Sequence, residues 1–204
     1  MPRSNLEALR ALGLFLDEDF LASEVCRRLR DDARAGTSET ATIVSGIDVI
    51  VDPGVRRAEC FDITEARLRE HVHRQLDGVL PRLAAHYGVV LSGYEAPHVV
   101  RYPIGGFYRP HVDSDEKSQG AAETCRRKVS CVVFLNGSTP STRDDSFAGG
   151  ALAFFRLAER PTSENCKTFL YPEPNLLVAF KSGVYHEVLP VMAGFRWTLV
   201  TWFY

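Results

Sequence analysis

The chain has 204 residues, 45% of them hydrophobic and 25% charged, with a formal net charge of -2. That length suffices for one domain with a sizeable apolar interior, and the interspersed charges exclude the basic face of a nucleic-acid or membrane-surface protein. No apolar run approaches the roughly 20 residues that span a bilayer, and the N-terminal apolar patch runs into acids without a small-residue cleavage site, so neither a membrane anchor nor a secretory signal is expected.

Before residue 95 the signals are mostly helical. Ser23–Ala35 gathers Val25, Cys26 and Leu29 on one side and ends at Gly36, as a helix does. Between the helices, IVSGIDVIVDPG alternates like a strand or hairpin and stops at the turn signal Asp52-Pro53-Gly54. Thr64 is the expected N-cap of a longer helix carrying Leu68, Val72, Leu76, Val79, Leu80 and Leu83 at helical spacing, with Pro81 expected to kink or divide it. After residue 95 short strands take over: His98–Tyr102, Phe107–His111, Lys128–Leu135, Ala151–Leu157, Thr168–Tyr171, Leu176–Phe180, His186–Leu189 and Arg196–Phe203. The expectation is a mainly β protein with flanking α-helices. Its core is a double-sheet jelly roll over residues 96–204, and residues 1–95 form a helical support packed on one sheet, all within a single domain, 1–204. Two longer polar connections, Ser114–Arg127 and Asn136–Ala148, are candidate functional loops.

The five cysteines (Cys26, Cys60, Cys125, Cys131 and Cys166) lack CxxC spacing. They predict neither a disulfide framework nor a zinc site, and a reducing cytoplasm is the simplest setting. Cys131, inside the apolar run VSCVVFL, reads as a small buried hydrophobe.

The chemistry starts from His111-Val112-Asp113. On an extended strand, side chains at i and i+2 share a face and can reach one ion. With six histidines in the chain, one such pair by chance is unremarkable, and a third ligand must come from elsewhere. His186 follows Gly183 at the head of another strand. Two histidines and one carboxylate leave adjacent coordination positions open, the set that suits non-haem Fe(II) oxygenases. Arg196 lies ten residues beyond His186, across the turn-like segment Pro190–Gly194, with apolar flanks FRWTLVTWF. A bound anion explains a buried guanidinium better than an unpaired charge does, and a bidentate fork suits a dicarboxylate. Thr198 shares the face of Arg196 and could add a hydroxyl.

YPIGGFYRPHVD (102–113) resembles the YxxGxxYxxHxD signature of the prolyl 4-hydroxylase branch of the 2-oxoglutarate/iron oxygenases. RKVSCVVFLN (127–136), GGALAF (149–154) and HEVLPV (186–191) followed by GFRW (194–197) resemble that branch's later core strands, and FLDEDFLASEVC (15–26) resembles its opening strand and helix. The resemblance implies a distorted double-stranded β-helix with iron at one open end, held by His111, Asp113 and His186. It implies 2-oxoglutarate anchored by Arg196 with help from Tyr102, O2 as co-substrate, release of succinate, and ascorbate as a candidate reductant. Collagen-type relatives have lysine where Arg196 stands, and the oxygen-sensing relatives have tyrosine where Phe134 stands, so Tyr102 and Thr198 are expected to carry more of the cosubstrate's hydrogen bonding. Related halogenases lack the carboxylate, so Asp113 favours hydroxylation. With Tyr204 closing the sequence just after the last strand, no grip from an added C-terminal helix is expected.

Further residues carry two readings each. Tyr108 and Arg109 could touch substrate at the mouth, or Tyr108 could be a packing aromatic. Arg126 and Arg127 could meet a substrate carboxylate or form a solvated loop pair. Asp115 and Glu116 read as polar loop, and Trp197 and Trp202 as core. His71 and His73 face different ways on a helix and read as surface, while His86 and His98 have no partner at informative spacing. The expected activity is hydroxylation of an aliphatic C–H, on peptidyl-proline by family analogy or on a free amino acid or small biosynthetic intermediate. A non-catalytic metal-holding jelly-roll module is the alternative of a different class. No nucleic acid or membrane partner is expected, and the oligomeric state is open.

Overall fold

In a computed structural model of the chain, the described residues are 3–45, 48–114, 124–138, 146–157 and 167–204. Among them are three α-helices: α1 (Arg3–Ala11), α2 (Ser23–Ala35) and α3 (Ala66–Tyr87). The larger of two main sheets has seven strands, ordered Phe15–Asp17, Leu177–Lys181, Val129–Phe134, Arg196–Phe203, His98–Tyr102, Glu59–Phe61 and Glu39–Thr40. The smaller has five, ordered Lys167–Leu170, Leu152–Phe155, His186–Val188, Phe107–His111 and Arg56–Arg57. A three-stranded group (Gly137–Ser138, Ser146–Gly149, Val191–Gly194) and the hairpin Ile43–Ser45 with Asp48–Ile50 complete the β structure. The result is a jelly-roll core with flanking helices, as the strand pattern predicts.

Period-2 alternation in the long strands builds two cores at once. Along Arg196–Phe203, Trp197, Leu199 and Phe203 point to the helices, joining Leu29 of α2 and Leu68, Val72, Leu76, Val79 and Leu83 of α3. The opposite face packs Val100, Tyr102, Phe134, Val178 and Phe180 against Leu152, Phe154 and Val188 of the smaller sheet. Burying each of these large side chains stabilises the fold by about 1.5–3 kcal/mol. Arg196 and Thr198 fall on this second face, the one turned toward the smaller sheet.

Several local expectations need correction. The N-cap of α3 is Glu65, and no side chain of its own end caps it. Thr64 instead turns to Asp32 of α2, whose carboxylate accepts from the Thr64 N–H at 2.8 Å, the Thr64 hydroxyl at 2.5 Å and the Glu65 N–H at 3.1 Å. Pro81 does not divide α3, which runs unbroken to Tyr87 and closes on Gly88 in the left-handed conformation. The supposed turn Pro190–Gly194 is largely strand, Val191–Gly194, paired with Ser146–Gly149. Residues before 95 also supply more than helices, since four strands of the two main sheets come from them.

Candidate functional site

The two histidines are brought together by strand pairing. His186 is the direct cross-strand partner of His111, and their ring centroids lie 4.2 Å apart. Two residues later on one strand, Val188 pairs with Tyr108, three positions back on the other, so a bulge interrupts the register. That extra residue resets the alternation and puts Tyr108 on the same side as His111, their rings stacked at 3.5 Å. Asp113 lies beyond the strand, which ends at His111. Its backbone is tied down instead by Ser182, whose carbonyl accepts from the N–H groups of Asp113 (2.9 Å) and Ser114 (3.1 Å). The carboxylate thus reaches His111 Nε2 at 3.6 Å and His186 Nε2 at 3.5 Å. The ligand-capable atoms of all three residues lie within 4.8 Å of one another.

Each imidazole has its other nitrogen fixed by the backbone: His111 Nδ1 lies 2.8 Å from the Arg109 carbonyl, and His186 Nδ1 lies 2.9 Å from that of Val184. A carbonyl only accepts, so Nδ1 donates to it and both Nε2 atoms are turned toward Asp113. Burial, partly offset by Asp113, pushes the His186 imidazole down to about 4, which leaves it in the neutral, ligating form. Burial alone would raise the Asp113 carboxyl, but His186, together with His111 and Ser130, holds it well below the usual carboxylate range. Two imidazoles and a carboxylate form a facial ligand set for Fe(II).

A second unusual group stands on the facing sheet. Arg196 is 1% exposed and is the cross-strand partner of Tyr102. Its guanidinium lies 5.1 Å from the centres of both the Tyr102 and Phe134 rings, and Nε donates to the Gly150 carbonyl at 3.0 Å. Gly150 has φ +62°, and a Cβ there would come within 3.0 Å of Arg196 Cδ, so glycine permits the close approach. Burial lowers Arg196 to about 10, with Tyr102 acting the other way, so it stays charged at neutral pH. No carboxylate pairs with it among the described residues. Thr198, also 1% exposed, has a buried Oγ1 with no hydrogen-bond partner. A buried cation and a buried hydroxyl with nothing to bind are costly, and a carboxylate between them would satisfy both. The residues therefore fit a dicarboxylic 2-oxo acid beside a metal.

A cavity of about 630 Å3 holds both groups, lined among others by Tyr102, Tyr108, His111, Asp113, His186, Arg196 and Thr198. Of the candidate substrate contacts, Tyr108 and Arg127 line it and Arg109 does not. Arg109 points away, its Nε donating to the Gly54 carbonyl at 2.6 Å. Arg127 is no solvated loop residue: it grips Glu95 bidentately at 2.6 and 2.7 Å and stacks 3.7 Å over Trp202. Trp202 faces the cavity rather than the core, and so does His98. Arg56 is a lining residue that sequence reasoning passed over; the only available signal was its place just after the Asp52–Gly54 turn. His73 meets the Tyr94 hydroxyl at 3.0 Å and His86 the Gly13 carbonyl at 3.3 Å, both far from metal chemistry. Asp115, Glu116, Cys166 and most of the two long connections lie outside the described residues.

A family model for the 2OG-Fe(II) oxygenase superfamily matches residues 97–204. The chain belongs to that superfamily. It is therefore an Fe(II)- and 2-oxoglutarate-dependent oxygenase that uses O2, and a non-catalytic binding module is set aside. Among solved structures, a Pseudomonas putida prolyl-4-hydroxylase is 25% identical over 100% of this chain and 98% of its own, with a TM-score of 0.69. A Trichoplax adhaerens prolyl hydroxylase, solved with a hypoxia inducible factor oxygen degradation domain peptide fragment, is 19% identical over 99% of this chain and 89% of its own, with a TM-score of 0.73. A viral collagen prolyl hydroxylase from Paramecium Bursaria Chlorella virus-1 is 17% identical over 93% and 94%, with a TM-score of 0.63. The last two share the fold. No curated protein sequence is significantly similar to the chain.

Proposed function

We propose that this oxygenase hydroxylates an aliphatic C–H, with His111, Asp113 and His186 as the iron ligands and Arg196, Thr198 and Tyr102 as the 2-oxoglutarate site. One observation carries the assignment: two Nε2 atoms and a carboxylate converge in one cavity with a buried guanidinium and a buried hydroxyl that, among the described residues, have no acid and no hydrogen-bond partner respectively. Bound together, Fe(II) and 2-oxoglutarate supply oxidative decarboxylation to succinate and CO2 and the oxidation of a substrate C–H by O2. The protein's share is positional. Val184 and Arg109 carbonyls orient the imidazoles, Ser182 holds Asp113 at the strand end, and the Arg196 fork and Thr198 hydroxyl receive the far carboxylate. Tyr108, stacked on His111, stands at the substrate side, whereas Arg109 is no longer a candidate there.

A prolyl residue is the first substrate class to test, because the Pseudomonas putida enzyme, 25% identical along the whole chain, is a prolyl-4-hydroxylase. Ascorbate is proposed as reductant. We further propose that residues 1–204 act as one catalytic domain in a reducing cytoplasm, supported by Cys26, Cys60 and Cys131, which form no disulfide among the described residues. No helix of the described residues is long and apolar enough to cross a membrane. The test is mass spectrometry of peptide and metabolite pools treated with the enzyme. A one-oxygen gain that requires 2-oxoglutarate and is lost in His186→Ala supports the reading. A gain that persists in His186→Ala contradicts it.

A further inference from the structure

Arg56 is a second guanidinium in the cavity, beside the one assigned to the cosubstrate. It sits on the short strand Arg56–Arg57 at the edge of the smaller sheet, opposite Tyr108. Its guanidinium lies 4.7 Å from the centre of the Tyr108 ring, the ring that in turn stacks on His111. One nitrogen, Nη1, donates to the Thr42 carbonyl at 2.9 Å, while Nε is buried without any partner. No carboxylate pairs with Arg56 among the described residues. A guanidinium held by the Thr42 carbonyl, the Tyr102 side chain and one aromatic face is fixed in place, yet no carboxylate of the described residues neutralises its charge.

The charges lining the cavity can be matched one by one. The described lining contains four arginines (Arg56, Arg126, Arg127, Arg196) and two carboxylates (Glu95, Asp113). Glu95 is taken bidentately by Arg127. Asp113 faces the two histidines. Arg196 serves the far carboxylate of 2-oxoglutarate in the proposed function. Arg126 lies at the exposed rim, over the Tyr204 ring at 4.3 Å. Among the described residues, Arg56 is left as the inner positive charge with no counter-ion, one aromatic ring away from His111. The buried Nε1 of Trp202 on the same cavity also has no acceptor. Unpaired donors of this kind favour a polar, anionic ligand over an apolar one.

We infer that Arg56 binds a carboxylate of the substrate, so that the carbon oxidised belongs to an acid rather than to a neutral molecule. The carboxylate has two sources, the α-carboxylate of a free amino acid and the side chain of an acidic residue beside the oxidised residue of a peptide. This inference rests on the oxygenase reading and adds the substrate's charge to it.

The experiment supplies the Fe(II)- and 2-oxoglutarate-loaded enzyme with four probe mixtures. These are free L-amino acids, their C-terminal amides, capped dipeptides pairing Asp or Glu with proline, and the matching Asn or Gln dipeptides. Product is read as one-oxygen gain by mass spectrometry, and succinate formed without substrate is read in parallel. The expected result is oxidation in a carboxylate arm at least about tenfold above its neutral counterpart, the size of one 1.4 kcal/mol interaction. The free-acid arm or the Asp/Glu arm then identifies the source. Arg56→Met abolishes that preference, while Arg56→Lys keeps part of it by retaining the charge. Equal oxidation of the neutral arms, oxidation in no arm, or a preference that survives in Arg56→Met overturns the inference. No succinate under any condition defeats the oxygenase reading itself, a distinguishable failure.

Discussion

Replacing Arg196 by methionine separates two roles open to a buried guanidinium. If the charge only held the fold together, its loss would unfold the protein. Because among the described residues it has no acid partner and bonds only the Gly150 carbonyl, methionine of similar volume removes an uncompensated buried charge. The metal-free protein should then be as stable as before or more so, since apolar replacement of buried charge is often neutral or stabilising by about 1–4 kcal/mol. The KM for 2-oxoglutarate should rise on the order of 10²-fold, the scale of losing one partner of a buried charge pair. Thr198→Val is the milder counterpart. Removing a hydroxyl with no partner should leave the thermal midpoint unchanged or raised and weaken cosubstrate affinity by about 2–10-fold, one hydrogen bond's worth. Both are checked by steady-state kinetics beside a thermal melt. At this scale spacing singled out His111 and Asp113, two apart, and Arg196, ten beyond His186, but not the geometry of the pair, since Asp113 lies beyond the end of the strand that carries His111. Arg56 was not legible, because its strand is two residues long and meets Tyr108 across a wide sequence gap. The anchoring of Asp113 by the Ser182 carbonyl was hidden for the same reason.

The helices and strands show where local pattern decides and where tertiary contact overrides it. The limits of α2 follow from its apolar spacing and Gly36, and His98–Tyr102, Phe107–His111 and Arg196–Phe203 occur as the alternation predicts. The start of α3 does not follow the local rule. Thr64 is a good capping residue by type, but its hydroxyl is already spent on Asp32 of the neighbouring helix. Asp32 is thus a cap delivered from another element, which no scan of adjacent residues could reveal. Asp32→Ala removes three hydrogen bonds at the junction of α2 and α3 and should cost about 1–2 kcal/mol, at the upper end for capping residues. Chemical denaturation should show a lower midpoint with an unchanged slope. An unaltered midpoint would mean that Glu65 or water caps α3 instead. The bulge between His111 and Tyr108 was equally invisible, since strict alternation puts those two side chains on opposite faces.

For the whole molecule, burial of ionisable groups in the cavity couples stability to pH. Burial, reinforced by Arg56, pushes His98 down to about 4, against about 6.5 in an unfolded chain. Between those values the unfolded state binds more protons, so stability is fully present above about 6.5 and declines as pH falls toward 4. The slope is at most about 1.4 kcal/mol per pH unit for that group. In the metal-free protein, His98→Gln should flatten this decline in a series of denaturation curves; an unchanged slope would assign it to other groups. The overall architecture was legible because the jelly roll is written in strand alternation from residue 96 onward, with α2 and α3 covering the outer face of the larger sheet. Less of it was legible before that point, where short strands are recruited to sheet edges by pairing rather than by their own pattern. The central claim is that His111, Asp113 and His186 hold iron where Arg196 presents 2-oxoglutarate to it. Anaerobic addition of Fe(II) and 2-oxoglutarate tests this most directly. The account predicts a visible charge-transfer band that needs both components and disappears in Asp113→Ala. No band in the intact protein, or one undiminished in Asp113→Ala, would contradict it.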